Sequence, residues 1–436
     1  MKKEDFLYLG MIISLIVILA VFWILIIDNT KNMRINNNSN SISYSASKTI
    51  NKNTKINSGN FESSNGDENV ILVSGDLNAS LSDITVNKTG DSDGGDNTSF
   101  YGINSAVMVK SGANVTIKNA TINTDAVGAN GIFSYGGSAT TNNTSADGTT
   151  VKVSNSKITT SKDNSGGIMT TGGGKMKATN LNIETAGISS AAIRTDRGGG
   201  KVDVNKGTYK TTGKGSPTIY STADVIVTNA TLTATASEGV IIEGKNSITL
   251  DNVQLTDTNN ELNGQSTTYK NIFIYQSMSG DASFGDATFT SKNSNIVTNK
   301  GDTIYVTNTS ATINLENNTF LNNDSEGNFL RIQKDSWGNE GSNGGNVKLN
   351  LTNQSINGNI VVDSISKLSM SFVNSKYTGS INSSNEGSIN IVLDSNSSIT
   401  LEGDSYINSL RNIDESNSNI NLNGHRLFIN GVELIK

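Results

Sequence analysis

Two eight-residue stretches of the chain share one pattern of apolar and polar residues. They read Val115-Thr-Ile-Lys-Asn119-Ala-Thr-Ile122 and Val151-Lys-Val-Ser-Asn155-Ser-Lys-Ile158. Apolar residues at alternate positions are typical of a β-strand with one buried face, and the intervening Asn suits a tight turn. The two stretches therefore define a repeating unit, V-x-V-x-N-x-x-I, of two short strands joined by a turn.

The same unit returns along most of the chain, at intervals of 21 to 36 residues. Further copies occupy residues 176–183, 225–232 and 248–255, and later copies end at Phe289, Phe320, Ile356, Tyr377 and Ile399. Asn fills the turn position at 119, 155, 180, 229, 252, 317, 353, 374 and 396. In two other copies the position is occupied by Lys206 and by Asp286. Stacked Asn residues can hydrogen-bond along a stack, so we interpret this ladder as structural.

A second unit precedes each of these copies and begins with an inward-pointing aliphatic residue. In an alignment of the copies, that position is Val107, Ile132, Ile168, Ile193, Ile219, Ile241, Ile272, Ile304, Leu330, Ile360 and Ile381. The two units together make a coil of about 20–25 residues, which buries its apolar side chains only by stacking on other coils. The sequence predicts an all-β, right-handed parallel β-helix solenoid of about a dozen coils. A β-sandwich also has short alternating strands, but it would not place the same residue type at the same position of every repeat. A left-handed β-helix built from strict hexapeptides is disfavoured because the coils vary in length.

Three segments are predicted along the chain. Residues 6–27 are apolar and uncharged, and at 1.5 Å per residue they would span the ~30 Å core of a bilayer. We expect residues 1–28 to be a transmembrane anchor, with a cleaved signal peptide as the alternative. Residues 29–69 are rich in Asn, Ser and Lys and are predicted to be a flexible linker. Residues 70–436 form the predicted β-helix, which we expect outside the cell membrane.

The composition excludes several classes of function. The net charge is −6 and 17% of residues are charged, so the chain lacks the basic surface of a nucleic-acid-binding protein. Without cysteine it can form neither disulfides nor thiolate metal sites. Asn, Ser, Thr and Gly dominate, as in chains with many tight turns.

The pattern resembles the right-handed parallel β-helix (pectin-lyase-like) superfamily, and most of all its adhesin-like bacterial surface members. The resemblance covers residues 70–436 and rests on the periodicity and on ladders such as Gly167-Ile168-Met-Thr-Thr-Gly-Gly173. The resemblance implies one of the functions known in that superfamily, which includes polysaccharide lyases and hydrolases, phage tailspikes and non-enzymatic adhesins. The superfamily's Gly-His-Gly and paired-aspartate signatures have no match in this chain, and fold does not choose among these functions.

The outward positions beside the aliphatic column collect aromatic and charged residues, where an untouched face would be polar. We predict an exposed binding face composed of Phe133, Tyr135, Arg194, Asp196, Tyr220, Phe273, Tyr275, Tyr305 and Arg331. Flat rings bury well against sugars, so a polysaccharide or a cell-surface glycan is the expected partner. The alternative is that inserted loops at 136–150, 256–270, 291–302 and 334–346 cover these rings.

Catalytic residues are harder to find. The main ionic cluster is Arg194 with Asp196 and Arg197, near Glu238 and Glu243, and an ordinary surface ion pair between Arg194 and Asp196 explains it. The two acidic residues on the aligned outer face, Asp196 and Asp363, are six coils apart, too far for a glycosidase pair. We therefore expect a non-catalytic adhesive or glycan-binding surface protein, with a cell-surface lyase or glycoside hydrolase as the alternative and a passive stalk as a third possibility.

No cofactor is predicted. Asp91, Asp93 and Asp96 could offer oxygen ligands to Ca²⁺, but the stretch lacks the other spaced ligands of an EF-hand loop. A solvated Gly/Asp turn is the simpler interpretation.

Overall fold

The repeating units form short strands that stack in parallel along the chain. The structure is a computed structural model that describes residues 42–137 and 146–435. Val151 of one unit pairs with Met176 of the next, and Met176 pairs with Val202. The chain is thus all-β, with long stacked parallel sheets that fit a β-helix solenoid. Its right-handed sense stays a prediction.

Four sheets contain the forty strands of the described residues, numbered here in chain order. The first sheet has twelve strands: β1 (Ser45–Ile50), β4 (Glu68–Ser74), β7 (Val107–Lys110), β10 (Ile132–Tyr135), β13 (Ile168–Thr171), β15 (Ile193–Thr195), β17 (Ile219–Ser221), β19 (Val240–Glu243), β22 (Lys270–Tyr275), β25 (Asp302–Thr307), β28 (Leu330–Ile332) and β31 (Ile360–Val362).

The second sheet has twenty-one strands: β2 (Thr54–Ile56), β3 (Gly59–Ser63), β5 (Asn78–Ser82), β6 (Ile84–Lys88), β8 (Asn114–Lys118), β9 (Thr121–Thr124), β11 (Thr150–Ser154), β12 (Lys157–Thr160), β14 (Gly174–Thr185), β16 (Gly200–Thr211), β18 (Asp224–Ala234), β20 (Ser247–Asp251), β21 (Gln254–Asp257), β23 (Asp286–Lys292), β24 (Asn295–Thr298), β26 (Thr309–Glu316), β27 (Thr319–Asn322), β29 (Gly345–Thr352), β32 (Lys367–Val373), β34 (Ser388–Leu393) and β37 (Ser409–Asn412).

Two small sheets follow towards the C-terminus. One contains β30 (Ser355–Asn357), β33 (Lys376–Gly379), β35 (Ser398–Leu401) and β38 (Ile420–Asn421), and the other β36 (Ser405–Ile407), β39 (Leu427–Ile429) and β40 (Val432–Glu433). One helix in the described residues, α1 (Asp96–Tyr101), lies in the connection between β6 and β7.

The core is the aliphatic column that the alignment identified. Ile132, Ile168, Ile193 and Ile219 occupy one register position on neighbouring strands, and all are buried. One coil of the alignment was wrong by a residue. Val240, not Ile241, pairs with Ile219, because the run Val-Ile-Ile offers an aliphatic residue at three consecutive positions.

The Asn ladder consists of turn residues in the left-handed conformation. Asn180 and Asn229 have φ near +55°, and each amide hydrogen-bonds to an Asn of the preceding coil. Lys206 takes the same conformation, as aligned, but Asp286 does not: its place belongs to Asn293, whose amide donates to Asp251. Asn396 also falls outside the ladder. The error at Asp286 arose because Phe289 begins its unit, where the alignment had placed the unit's end.

The folded unit begins earlier than the sequence indicated. Residues 45–69, predicted to be part of the linker 29–69, contain β1, β2, β3 and the start of β4, and the compact unit runs from Tyr44 to Lys436. The isolated apolar residues of this segment are its inward positions: Ile50 pairs with Val73, Ile56 with Leu81 and Phe61 with Val86. An end coil buries fewer residues, which is why no sustained period was visible.

The predicted transmembrane segment, residues 6–27, lies outside the described residues, as does the start of the predicted linker. Among residues 42–137 and 146–435, no helix has the length and apolar character needed to cross a bilayer.

We expect Asn229→Ala to lower the free energy of unfolding by about 1–2 kcal/mol, because alanine is strained at positive φ and two amide bonds are lost. Asn229→Gly should cost less, since glycine adopts this conformation without strain. Asn123→Ala is the control: Asn123 makes the same kind of amide bond from a strand, so a loss below about 0.5 kcal/mol is expected. Urea titration measures all three, and equal losses for the alanine and glycine variants at position 229 would contradict the assigned strain.

Candidate functional site

The aromatic and charged residues singled out by the sequence do share one face of the first sheet. Strand register places ten residues in a line, here called the outer column: Leu72, Met108, Phe133, Met169, Arg194, Tyr220, Ile241, Phe273, Tyr305 and Arg331. Tyr135, Glu243 and Tyr275 lie two residues further along their strands, on the same face.

The N-terminal end of the outer column is covered. Met108, Phe133 and Met169 are fully buried in one cluster, with Tyr135 packed against it. Helix α1 brings Tyr101 edge-on to Tyr135, with 5.6 Å between ring centroids. The hydroxyl of Tyr44 donates to the Tyr101 carbonyl at 2.8 Å. Phe133 and Tyr135 therefore pack the interior of this end, and burial raises the pKa of Tyr135 to about 12.

The C-terminal end is covered by the loop of residues 333–344. This loop places Trp337 5.2 Å from the ring centroids of both Phe273 and Tyr275, which stack on each other at 4.5 Å. Tyr305 is fully buried beside them, and its hydroxyl donates to Asp335 at 2.7 Å. Four of the six aromatic rings in the predicted binding face are at most 9% exposed, so the prediction that this face is exposed is wrong over most of its length.

Lys270 lies among these rings. Its ammonium is 4.4 Å from the ring centroid of Phe273 and 4.8 Å from that of Tyr305, within cation–π distance. It donates to Ser266 and to the Thr268 carbonyl, and Glu238 is 3.9 Å away. The residue is fully buried, and this burial lowers its pKa. Lys270 thus ties the loop of residues 258–269 to the rings.

Arg194 and Asp196 form a buried ion pair between the two covered ends. The guanidinium donates to the carboxylate at 2.9 Å, and the Arg197 backbone N–H donates to its other oxygen. Burial raises the pKa of Asp196 to about 6, although Arg194 favours the charged form. The Arg197 side chain turns away, to Asp281 and to the Phe100 ring. The sequence had indicated an ordinary surface ion pair, whereas the structure largely buries it.

Arg331 is also engaged in an internal pair. Its guanidinium contacts Asp302 at 2.5 Å, and Asp302 is almost fully buried. Arg331 is therefore not a free cation at the surface of the outer column.

A pocket of about 350 Å³ opens over the middle of the outer column. Its floor and wall include Arg194, Tyr220, Ile241, Phe273 and Tyr275, with Glu238 and Trp337 at the sides. Residues 263–266 close one side, and turn residues around Pro217 close another. The pocket is a gap between the α1 connection and the Trp337 loop, in which the outer column is only partly covered.

The loop that closes the pocket fits closely against the turn below it. Gly215 has φ +61°, and a Cβ on it would lie 2.5 Å from the side-chain amide of Asn263. The turn therefore needs glycine both for its backbone conformation and for the space that Asn263 occupies.

The structure places the carboxylate of Glu243 on the same face as the outer column. The one-residue alignment error at Ile241 had left Glu243 off this face, but register pairs Glu243 with Tyr275. Glu243 is buried and accepts hydrogen bonds from the hydroxyls of Tyr220, Tyr275 and Ser277. Burial is the main cause of the raised pKa of both tyrosines, and Glu243 adds to it. Asp196 and Glu243 stand two coils apart, or roughly 10 Å at ~4.8 Å per coil.

Several contributors to the site were not among the residues proposed from sequence. Trp337 and Lys270 lie in or beside inserts, where no repeat pattern indicates direction, and Glu243 was displaced by the one-residue alignment error. The insertion predicted at 291–302 is ordinary coil containing β24, while the connection of residues 276–285 was overlooked.

The proposed calcium ligands remain dispersed. Asp91, Asp93 and Asp96 are all exposed, and Asp91 accepts the Val127 backbone N–H at 2.8 Å. In the part of the chain that the structure describes, no three His, Cys, Asp or Glu residues are arranged to hold a metal ion.

Comparisons with known proteins add no family to this description. No protein-family model matches the chain, and neither the curated proteins nor the solved structures contain a significant match to it.

We expect the wild-type protein to lose stability relative to Asp196→Asn as the pH rises from about 4 to about 6. In that window the folded state holds a proton on Asp196 that the unfolded state has released, so raising the pH favours unfolding. A pKa raised from 3.8 to about 6 corresponds to about 3 kcal/mol. Urea titrations of both proteins from pH 4 to pH 7 measure the difference, and parallel pH profiles would contradict the assignment.

Proposed function

We propose that this protein is a membrane-anchored, extracellular β-helix protein that binds glycans without catalysis. In this proposal it belongs with the adhesin-like members of the pectin-lyase-like superfamily, as the repeat pattern suggested. The observation that supports binding is the pocket of about 350 Å³, which is lined by Tyr220, Phe273, Tyr275 and Trp337 and by two ionisable groups, Arg194 and Glu238. Aromatic walls with a few polar groups are typical of small-molecule and sugar sites.

The size and shape of the pocket favour one sugar residue, or the end of a glycan, over a long polymer lying along the rod. The six rings of the predicted binding face do not form a continuous surface for an extended glycan chain, because Phe133 and Tyr305 are buried. Rings remain partly accessible at Tyr220 and Trp337, which are half-buried. A sugar face against these rings and hydroxyls near Glu238 and Arg194 would combine stacking with hydrogen bonding.

A cell-surface lyase or glycoside hydrolase is the second candidate, favoured by one observation. Asp196 has a pKa of about 6, suited to a general acid, and Glu243 lies two coils away. The backbone spacing of roughly 10 Å is close to the upper end of the range for inverting pairs and does not decide the question. The contacts of the two carboxylates weigh against catalysis. Asp196 is engaged by Arg194 and Glu243 by two tyrosines, and neither lines the pocket.

Glycan-array binding of the full-length protein in detergent tests the proposal. We expect Trp337→Ala to weaken binding about tenfold, since it removes a stacking surface worth about 1.4 kcal/mol, whereas Trp337→Phe should retain most of the affinity. Tyr406→Ala is the matched control, because Tyr406 is a partly exposed ring stacked on Phe428 that does not line the pocket. Unchanged binding in Trp337→Ala, or release of reducing ends from a bound glycan, would count against the proposal.

The anchor is tested by removing residues 2–28. We expect this deletion to move the protein from the membrane fraction to the soluble fraction, because it removes the 22-residue apolar run 6–27. Replacing the same run with a transmembrane helix of unrelated sequence should restore membrane attachment. Membrane retention of the deleted protein would show that another part of the chain holds it there.

A further inference from the structure

We propose that the pocket selects a cationic amino group, and therefore that its glycan ligand carries a hexosamine with a free amine. This inference rests on the proposed glycan-binding function and names the ligand class for the same site.

The aromatic cluster already binds an ammonium group. Lys270 Nζ lies 4.4, 4.8 and 5.8 Å from the ring centroids of Phe273, Tyr305 and Trp337, respectively. Distances within about 6 Å are those at which a ring face attracts a cation. Phe273 and Trp337 also line the pocket, so a ligand amine would meet rings that accept this kind of group.

The tyrosines of the pocket are made more attractive to a cation by the carboxylate behind them. Tyr220 and Tyr275 both direct their hydroxyls to Glu243. A phenol that donates to a carboxylate gains electron density on its ring, which strengthens the attraction of the ring face for positive charge. No Lys or Arg of residues 42–137 and 146–435 forms an ion pair with Glu243, so its charge is balanced only by hydroxyl dipoles.

Glu238 supplies a carboxylate at the pocket itself. Within the described chain, its one hydrogen bond comes from the Ser237 hydroxyl at 3.1 Å. The Lys270 ammonium is 3.9 Å away, beyond hydrogen-bond distance. Glu238 therefore keeps acceptor capacity for a donor in the pocket, and an ammonium offers three N–H donors.

Among the residues that the structure describes, the one cation that lines the pocket is already neutralised. Arg194 is paired with Asp196 at 2.9 Å and also donates to the Ser189 carbonyl. The charge balance near the pocket is negative at Glu243, because Arg194 is paired with Asp196 and Lys270 faces Glu238, while no Lys or Arg of the described residues forms an ion pair with Glu243. That balance disfavours a uronic acid, whose carboxylate would meet negative charge, and favours an amine over a neutral hydroxyl.

A comparison of two oligosaccharides that differ only in N-acetylation tests the inference. We expect the full-length protein in detergent to bind a glucosamine tetramer at least tenfold more tightly than the N-acetylglucosamine tetramer at pH 6, measured by calorimetry. Glu238→Gln should remove this preference, because it should weaken binding of the glucosamine tetramer at least tenfold more than binding of the acetylated tetramer. Glu340→Gln is the control, because Glu340 is an exposed acid on the Trp337 loop and does not line the pocket.

A second variant, Glu243→Gln, keeps the inference testable if Glu238→Gln fails to fold. Circular dichroism measures whether each variant retains the β-structure of the wild-type protein. The Glu243→Gln variant should reduce the preference for the free amine without abolishing sugar binding. Equal affinity for the two tetramers, or a preference that survives both substitutions in folded protein, would overturn the amine selectivity while leaving glycan binding intact. Failure of both tetramers and of every glycan on the array would instead remove the proposed function.

Discussion

Each coil of this protein has to bury its aliphatic stripe against the coils on either side, because a single coil of about 20–25 residues encloses no core of its own. Parallel stacking at ~4.8 Å keeps equivalent residues directly above one another, so any register change would move the apolar side chains to the outside. The turns maintain that register. Asn side chains tolerate the left-handed conformation and bond to the Asn one coil away, as Asn252 does to Asn229.

The same stacking also creates the outer column. Once Ile219 and its partners point inward, their neighbours in sequence must point outward, and Arg194, Tyr220 and Ile241 fall into line. Large apolar groups on an outer face are costly to expose, and the chain covers them with inserts between strands. Helix α1 covers the N-terminal end and the Trp337 loop covers the C-terminal end. The pocket is the part of the column left between these covers, bordered by residues 263–266.

Charge in this region is arranged around a small number of buried carboxylates. Asp196 and Asp302 each have an arginine partner, while Glu243 is held by hydroxyl groups. Lys270 is the exception among the cations, because it is enclosed by rings and its nearest carboxylate is beyond hydrogen-bond distance. Each of these three carboxylates is therefore held by side chains of the protein itself.

The sequence by itself determined the repeat, the stacked parallel strands, the inward aliphatic column and the shared outer face of Phe133, Tyr220, Phe273 and Tyr305. These follow from a period-2 pattern repeated in register, which is a local property of each coil. Where three aliphatics follow one another, as at residues 240–242, the pattern was ambiguous and register was decided by the neighbouring strands. Only the tertiary structure decided which rings are buried and where the pocket lies. Loops that bring Trp337 and Ser266 to the column have no period, and their direction depends on long-range packing that no local pattern encodes.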